Sequence, residues 1–213
     1  MATLPPAQRI RPLLDKLRVQ HPNARYELDF ENPLQLLVAT ILAAQCTDER
    51  VNRVTPGLFR KYPNAAAFAD ADIAELEEDL KPTGFFRQKA KTVKGVCQAL
   101  RERHGGQVPA DMDALTALPG VARKSANVVL NTGFRIASGV IVDVHVARVT
   151  QRMGLTRESK PERIEEDMMR LVPKDEWVFF GPAMVLHGRY TCTAKKPQCP
   201  TCPMQDLCDK IDI

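Results

Sequence analysis

Helix start and stop signals recur along this chain, and they restrict its fold more than any other feature. Asn32 precedes Pro33, with Gln35 three positions on, an arrangement that opens a helix through about Cys46. Thr47 is expected to cap a helix from Asp48 to about Lys61, with Pro63 beyond its end. Asp72 with Glu75 marks a short acidic helix that Pro82 and Gly84 stop. A long basic helix follows from about Phe86 to His104, closed by Gly105-Gly106, and Asp111 caps a short one ending at Pro119-Gly120. Helices are also expected over Arg123 to about Thr132, Asp143 to Met153, Ser159 (capped, with Glu162) to Leu171, and Glu176 to about Arg189. Alternating apolar and polar runs of any length are scarce. The expected fold class is all-α with short turns.

With 213 residues, 44% of them hydrophobic and 26% charged, the chain can build an ordinary core. Collagen-like and wholly disordered classes are excluded. No repeat or low-complexity linker divides it. The candidate boundaries are Pro22–Ala24 and the irregular stretch Gly133–Val142. They delimit a helical block over residues 26–135; residues 1–25 and 136–213 form a second lobe. The N-terminus shows no long apolar run of the kind a signal peptide needs. The stretch Leu36 to Ala44 falls far short of the ~20 residues that span a bilayer. A soluble, cytoplasmic protein with no membrane partner is expected.

The net charge is +4, but its distribution says more. From Lys81 to His104 seven basic residues face one acid, while Asp70 to Asp79 holds six acids and no base. Segregation of this kind suits a face that meets a polyanion, or else a solvated helix surface. Cysteine usage is equally uneven. Cys46 and Cys97 sit singly in apolar contexts and read as core. Cys192, Cys199, Cys202 and Cys208 fall within the last 22 residues. In a cytoplasmic chain such thiols read as metal ligands rather than disulfides. Their spacing has one C-x2-C pair where structural zinc usually takes two; four cysteines on a compact loop are what a [4Fe–4S] cluster requires.

The stretch Leu118–Ala126 reads LPGVARKSA, with one helix ending at Pro119-Gly120 and the next beginning at Arg123. A turn this tight leaves backbone N–H groups around Gly120, Val121, Ala122 and Arg123 for a phosphate, with the helix dipole behind them. An ordinary turn between helices would look the same. Lys124 lies in the first turn of that helix, where the dipole and the neighbouring Arg123 disfavour a cation and so favour a nucleophilic amine. Nineteen residues on, Asp143 opens the next helix, where a simple cap is the usual role.

LPGVARKSANVVLNTGF followed by VDVHVARV resembles the helix-hairpin-helix signature of the endonuclease III family of DNA glycosylases. Four other stretches are similar to that family too: LLVATILAAQCTDERVN, TGFFRQKAKTV, HGRYTC and the terminal cysteines. The resemblance implies a two-lobed fold, a six-helix block plus an iron–sulfur cluster lobe, with DNA across the cleft between them. It implies a base excision repair enzyme that removes oxidised pyrimidines from damaged double-stranded DNA and cleaves abasic sites, as a monomer in the cytoplasm, at the nucleoid. Matched residue by residue, Lys124 takes the Schiff-base nucleophile's place and Asp143 that of the catalytic carboxylate. Gln45 matches the residue inserted into the gap left by the flipped nucleotide, and Phe85 the apolar wedge beside it. Cys192, Cys199, Cys202 and Cys208 match the ligands of a [4Fe–4S] cluster, with Lys195 and Lys196 placed to meet the DNA backbone. His145 matches a family position at the edge of the site, where a structural role is the simpler one. His187 carries no signal. The rival readings are a monofunctional mismatch glycosylase of the same superfamily and a non-catalytic DNA-binding module with structural zinc. Three departures stand out: Ala122 where a second hairpin glycine is usual, Val144 where the family has threonine, and one extra residue in Arg135–Val142.

Overall fold

The computed structural model describes residues 4–213. Among them the ordered elements are helices, with no strand. In chain order these are α1 (Pro6–Gln20), α2 (Pro33–Leu42), α3 (Asp48–Lys61), α4 (Ala65–Asp70), α5 (Ile73–Leu80), α6 (Phe86–His104), α7 (Met112–Thr116), α8 (Arg123–Val128), α9 (Val144–Arg152), α10 (Pro161–Leu171) and α11 (Trp177–Tyr190). The anticipated caps form: Asn32 accepts from the Gln35 N–H, Thr47 from Arg50, Asp72 from Ala74 and Glu75, and Asp111 from Ala114. Gly105 closes α6 at φ 57°. Two details differ. Asn64 accepts from the Ala67 N–H and opens α4, a helix that Pro63 had masked as the end of its predecessor. Ser159 is not a cap: α10 starts at Pro161 behind Lys160, and Thr156 takes the Glu158 N–H instead.

The chain divides into two compact units, Glu27–Arg135 and Met1–Tyr26 with Ile136–Ile213. In the first, which carries α2 to α8, the long helix α6 is the spine and packs against α4, α5 and α2. Its core side chains Leu36, Leu37, Phe68, Leu76, Val93 and Leu100 are fully buried, each contributing about 2 kcal/mol by leaving water. Polar ties supplement the core: Lys94 Nζ donates to Ala71 O, and Arg101 pairs with Asp70 at 2.6 Å. Beyond α8 the backbone continues as a π-helical turn, Val129–Gly133. A Cβ at Gly133 would stand 3.1 Å from Leu36 Cδ2, so glycine there lets this turn lie close on α2.

In the second unit α1 packs on α10 and α11, and α9 on α11, around Leu13, Leu17, Val149, Ile164, Met168 and Phe180. Tyr26 belongs here rather than to the block it was expected to open, with its hydroxyl 3.1 Å from where a Gly181 Cβ would stand. Arg9 is 2% exposed and ties α1 to the C-terminal loop. Its Nη1 donates to Met153 O (2.6 Å) and Leu207 O (2.7 Å), its Nη2 to Gly154 O (3.1 Å) and Asp209 Oδ2 (3.2 Å).

Candidate active site and cluster loop

The hairpin between α7 and α8 turns on Gly120, at φ 75°. A Cβ there would also lie 2.8 Å from Thr92 Cγ2 on α6, so both conformation and space demand glycine. Val121 buries its side chain and spends its N–H on Leu118 O at 3.2 Å, which removes it from the donors expected to meet a phosphate. Ala122 takes φ −79°, so its methyl group adds no backbone strain where a glycine is usual. It stands at the N-cap of α8 and offers no side-chain cap of its own. Arg123 and Lys124 follow in the first turn, both exposed. Lys124 makes no ion pair or hydrogen bond among the described residues.

Asp143, in the other unit, is the N-cap of α9, and its Oδ1 accepts from the N–H groups of His145 (2.8 Å) and Val146 (2.9 Å). The cap expected on statistical grounds is therefore present, and it holds the half-buried carboxylate in one orientation. Val144 beside it is 74% exposed. His145, half-buried, places Nδ1 3.3 Å from Arg148 Nη2. α9 reaches α11 at Gly188, where a Cβ would be 2.9 Å from His145 Cβ.

Gln45 and Phe85, both exposed, have left-handed backbone, φ 52° and 48°. Sequence reading gave no hint of this. Lys89, on the basic helix, is not a surface cation: it is 4% exposed and donates Nζ to Thr83 O at 2.8 Å. Cys97 is core as expected, its thiol pushed up to about 12 by burial, whereas Cys46 is half-buried.

Cys192, Cys199, Cys202 and Cys208 line one cavity in the C-terminal unit. Arg152 Nη1 lies 3.6 Å from Cys192 Sγ, His187 Nε2 lies 3.7 Å from Cys202 Sγ, and Cys208 Sγ reaches Arg152 O at 3.5 Å. The loop backbone is held by arginines: Arg152 binds the carbonyls of Thr193 (2.8 Å) and Ala194 (2.9 Å), and Arg148 those of Gly188 (2.8 Å) and Cys192 (3.1 Å). Lys195 and Lys196 project from this loop, exposed.

Residues 38–174 match the model of the HhH-GPD superfamily of base excision DNA repair proteins, and residues 192–208 that of the iron–sulfur binding domain of endonuclease III. The chain is 51% identical to endonuclease III of Synechocystis over 94% of its length and 92% of that protein's. The chain belongs to the endonuclease III family. The Escherichia coli endonuclease III is 40% identical over 94% of this chain and 96% of its own. A trapped endonuclease III–DNA covalent intermediate is similar at TM-score 0.91 and 41% identity, covering 99% of this chain and 97% of that one. A thermostable thymine-DNA glycosylase, at TM-score 0.87 and 22% identity, shares the fold.

Like its relatives, this endonuclease III family member carries a [4Fe–4S] cluster. The residues present fit one. Four thiols line a single cavity, the donor set such a cluster takes. Burial pushes the Cys202 and Cys208 thiols up, so binding iron there must release their protons. Arg9, Arg148, Arg152 and His187 escaped sequence reading because nothing near them in the chain names their partners. The one available signal was the placement of Arg148 and Arg152 four apart on one helix face.

Proposed function

We propose that this base excision repair enzyme, a DNA glycosylase with abasic-site lyase activity, removes oxidised pyrimidines from damaged duplex DNA with Lys124 as nucleophile and Asp143 as the assisting carboxylate. The observation that carries the reading is Lys124: an exposed amine in the first turn of the hairpin helix, its side chain in no ion pair among the described residues and so open to a substrate. The target nucleotide must leave the stack before either group can reach it. As the bond from C1′ to the base nitrogen breaks, the base departs with the electron pair and takes up a proton. Asp143 stabilises the positive charge that builds on the sugar. Lys124 Nζ bonds to C1′; the C1′–O4′ bond of the sugar ring then breaks, O4′ taking up a proton that the nitrogen gives up, and a protonated imine is left. Removal of a C2′ proton then expels the 3′ phosphate by β-elimination, and water hydrolyses the imine to free the lysine.

Gln45 fills the gap in the duplex and pairs with the orphaned base through its amide, while Phe85 wedges the stack beside it. The backbone N–H groups of Gly120 and Ala122, with the charge of Arg123, Lys195 and Lys196, grip phosphates without reading sequence. Cys192, Cys199, Cys202 and Cys208 ligate the cluster, whose contribution is to fold and hold the loop bearing those two lysines. The protein works as a monomer at the nucleoid, with residues 27–135 as the hairpin-bearing domain and 1–26 with 136–213 as the cluster domain. The trapped DNA adduct of a relative at 41% identity supports the covalent step.

Borohydride trapping tests the assignment. Wild-type protein should form a covalent adduct with abasic duplex. Lys124→Gln should form none and lose strand cleavage by more than about 10³-fold while still binding DNA. A variant that nicks abasic DNA at the normal rate would remove Lys124 from the mechanism.

A further inference from the structure

Left-handed backbone is rare for a bulky side chain and persists where the surroundings impose it. Around Phe85 the side chain of Lys89 supplies a tie that regular helix geometry does not. The backbone N–H of Lys89 donates to Phe85 O at 3.1 Å, and its Nζ donates to Thr83 O at 2.8 Å. Thr83 is itself buried and anchors its hydroxyl on Leu80 O at 2.8 Å. The Phe85 carbonyl is held by the first-turn bond of α6, and the Lys89 side chain fixes the carbonyl before Gly84, so both ends are pinned of the segment that carries φ 69° and 48° in succession. The grip is costly as a way to stabilise a fold, because it buries an ammonium against a neutral carbonyl. Burial pulls that ammonium below the usual lysine range, and Cys46, next to Gln45, lies close enough to interact with it electrostatically.

We propose that Lys89 is a positioning residue for nucleotide extrusion: it presets the left-handed Phe85 wedge before DNA arrives, so that the loop has nothing left to order on insertion. The proposal rests on the reading that Phe85 enters the duplex. It places the effect of Lys89 in opening a paired lesion and not in the chemistry that follows.

The test compares wild type, Lys89→Met, Lys89→Arg, Phe85→Ala and the double variant Lys89→Met/Phe85→Ala on two substrates. One is a duplex with dihydrouracil opposite adenine and 2-aminopurine as the neighbouring base; the other is a single-stranded abasic oligonucleotide. Lys89→Met should excise the paired lesion roughly tenfold more slowly, with a weaker 2-aminopurine rise, and cleave the single strand at nearly the wild-type rate. Lys89→Arg keeps a charged donor and should recover most of the loss. The double variant should be no slower than Phe85→Ala alone, because Lys89 acts through the ring. Equal losses on both substrates, additive losses in the double variant, or a Lys89→Met protein with wild-type excision would each overturn the assignment. If Lys89→Met yields no folded protein, Lys89→Gln takes its place under the same criteria. A Phe85→Ala variant that excises normally would defeat the wedge reading itself, and Lys89 with it; a slow Phe85→Ala beside a normal Lys89→Met defeats the Lys89 assignment alone.

Discussion

Asp143 combines a helix cap with a proposed catalytic carboxylate, and substitution can part the two. Asparagine caps a helix about as well as aspartate, so Asp143→Asn should keep the bonds to His145 and Val146 and leave the melting temperature nearly unchanged. Asp143→Ala loses the cap and should cost about 1 kcal/mol, a fall of about 2–4 °C for a chain of this size. Both should lose base removal in single-turnover excision. Equal excision by Asp143→Asn and wild type would leave the residue as a cap and nothing more. Gly120 shows how much of such detail is visible in one dimension. A glycine after proline between two helices announces a turn, and the turn forms. That its missing side chain also makes room for Thr92 depends on a helix 28 residues upstream, which no local pattern announces.

Among the elements, α9 and α11 set where the carboxylate sits. They meet tightly at Gly188, where an added methyl group would lie 2.9 Å from His145 Cβ and 3.2 Å from Val149 Cγ2. Gly188→Ala should therefore push the helices apart, at about 1–3 kcal/mol, and lower the melting temperature by several degrees. Because α9 carries Asp143 at its start, excision should slow as well, in kcat more than in KM. Unchanged melting and excision would show that the packing relaxes freely there. The helices themselves were mostly legible. Asn32, Thr47, Asp72 and Asp111 act on N–H groups two or three residues away, so the signal and its effect lie together in the sequence. Asn64 was hidden by the proline before it, and Ser159 failed because α10 starts later, at Pro161 behind Lys160.

For the whole molecule, the cluster loop links cofactor binding to folding. The loop contains only short 3-10 turns, Cys199–Thr201 and Gln205–Leu207, and is held by thiols and arginines rather than by regular structure. Purified protein should be brown with broad visible absorption, and Cys202→Ala should lose both colour and iron and melt at a lower temperature. Full iron content in that variant would remove Cys202 from the ligand set. The helix caps indicated an all-α chain and the four-cysteine spacing an iron–sulfur cluster, while the repair enzyme was legible only through the resemblance at five separate stretches. Tertiary structure alone decided three things: the positive φ at Gln45 and Phe85, the burial of Lys89, and the arginines that anchor the cluster loop. The physical reason is distance along the chain. Arg9 meets Met153 across 144 positions, and Arg152 meets Thr193 across 41. A carbonyl acceptor is the same group at every residue, so only the folded backbone determines which one a buried cation will find.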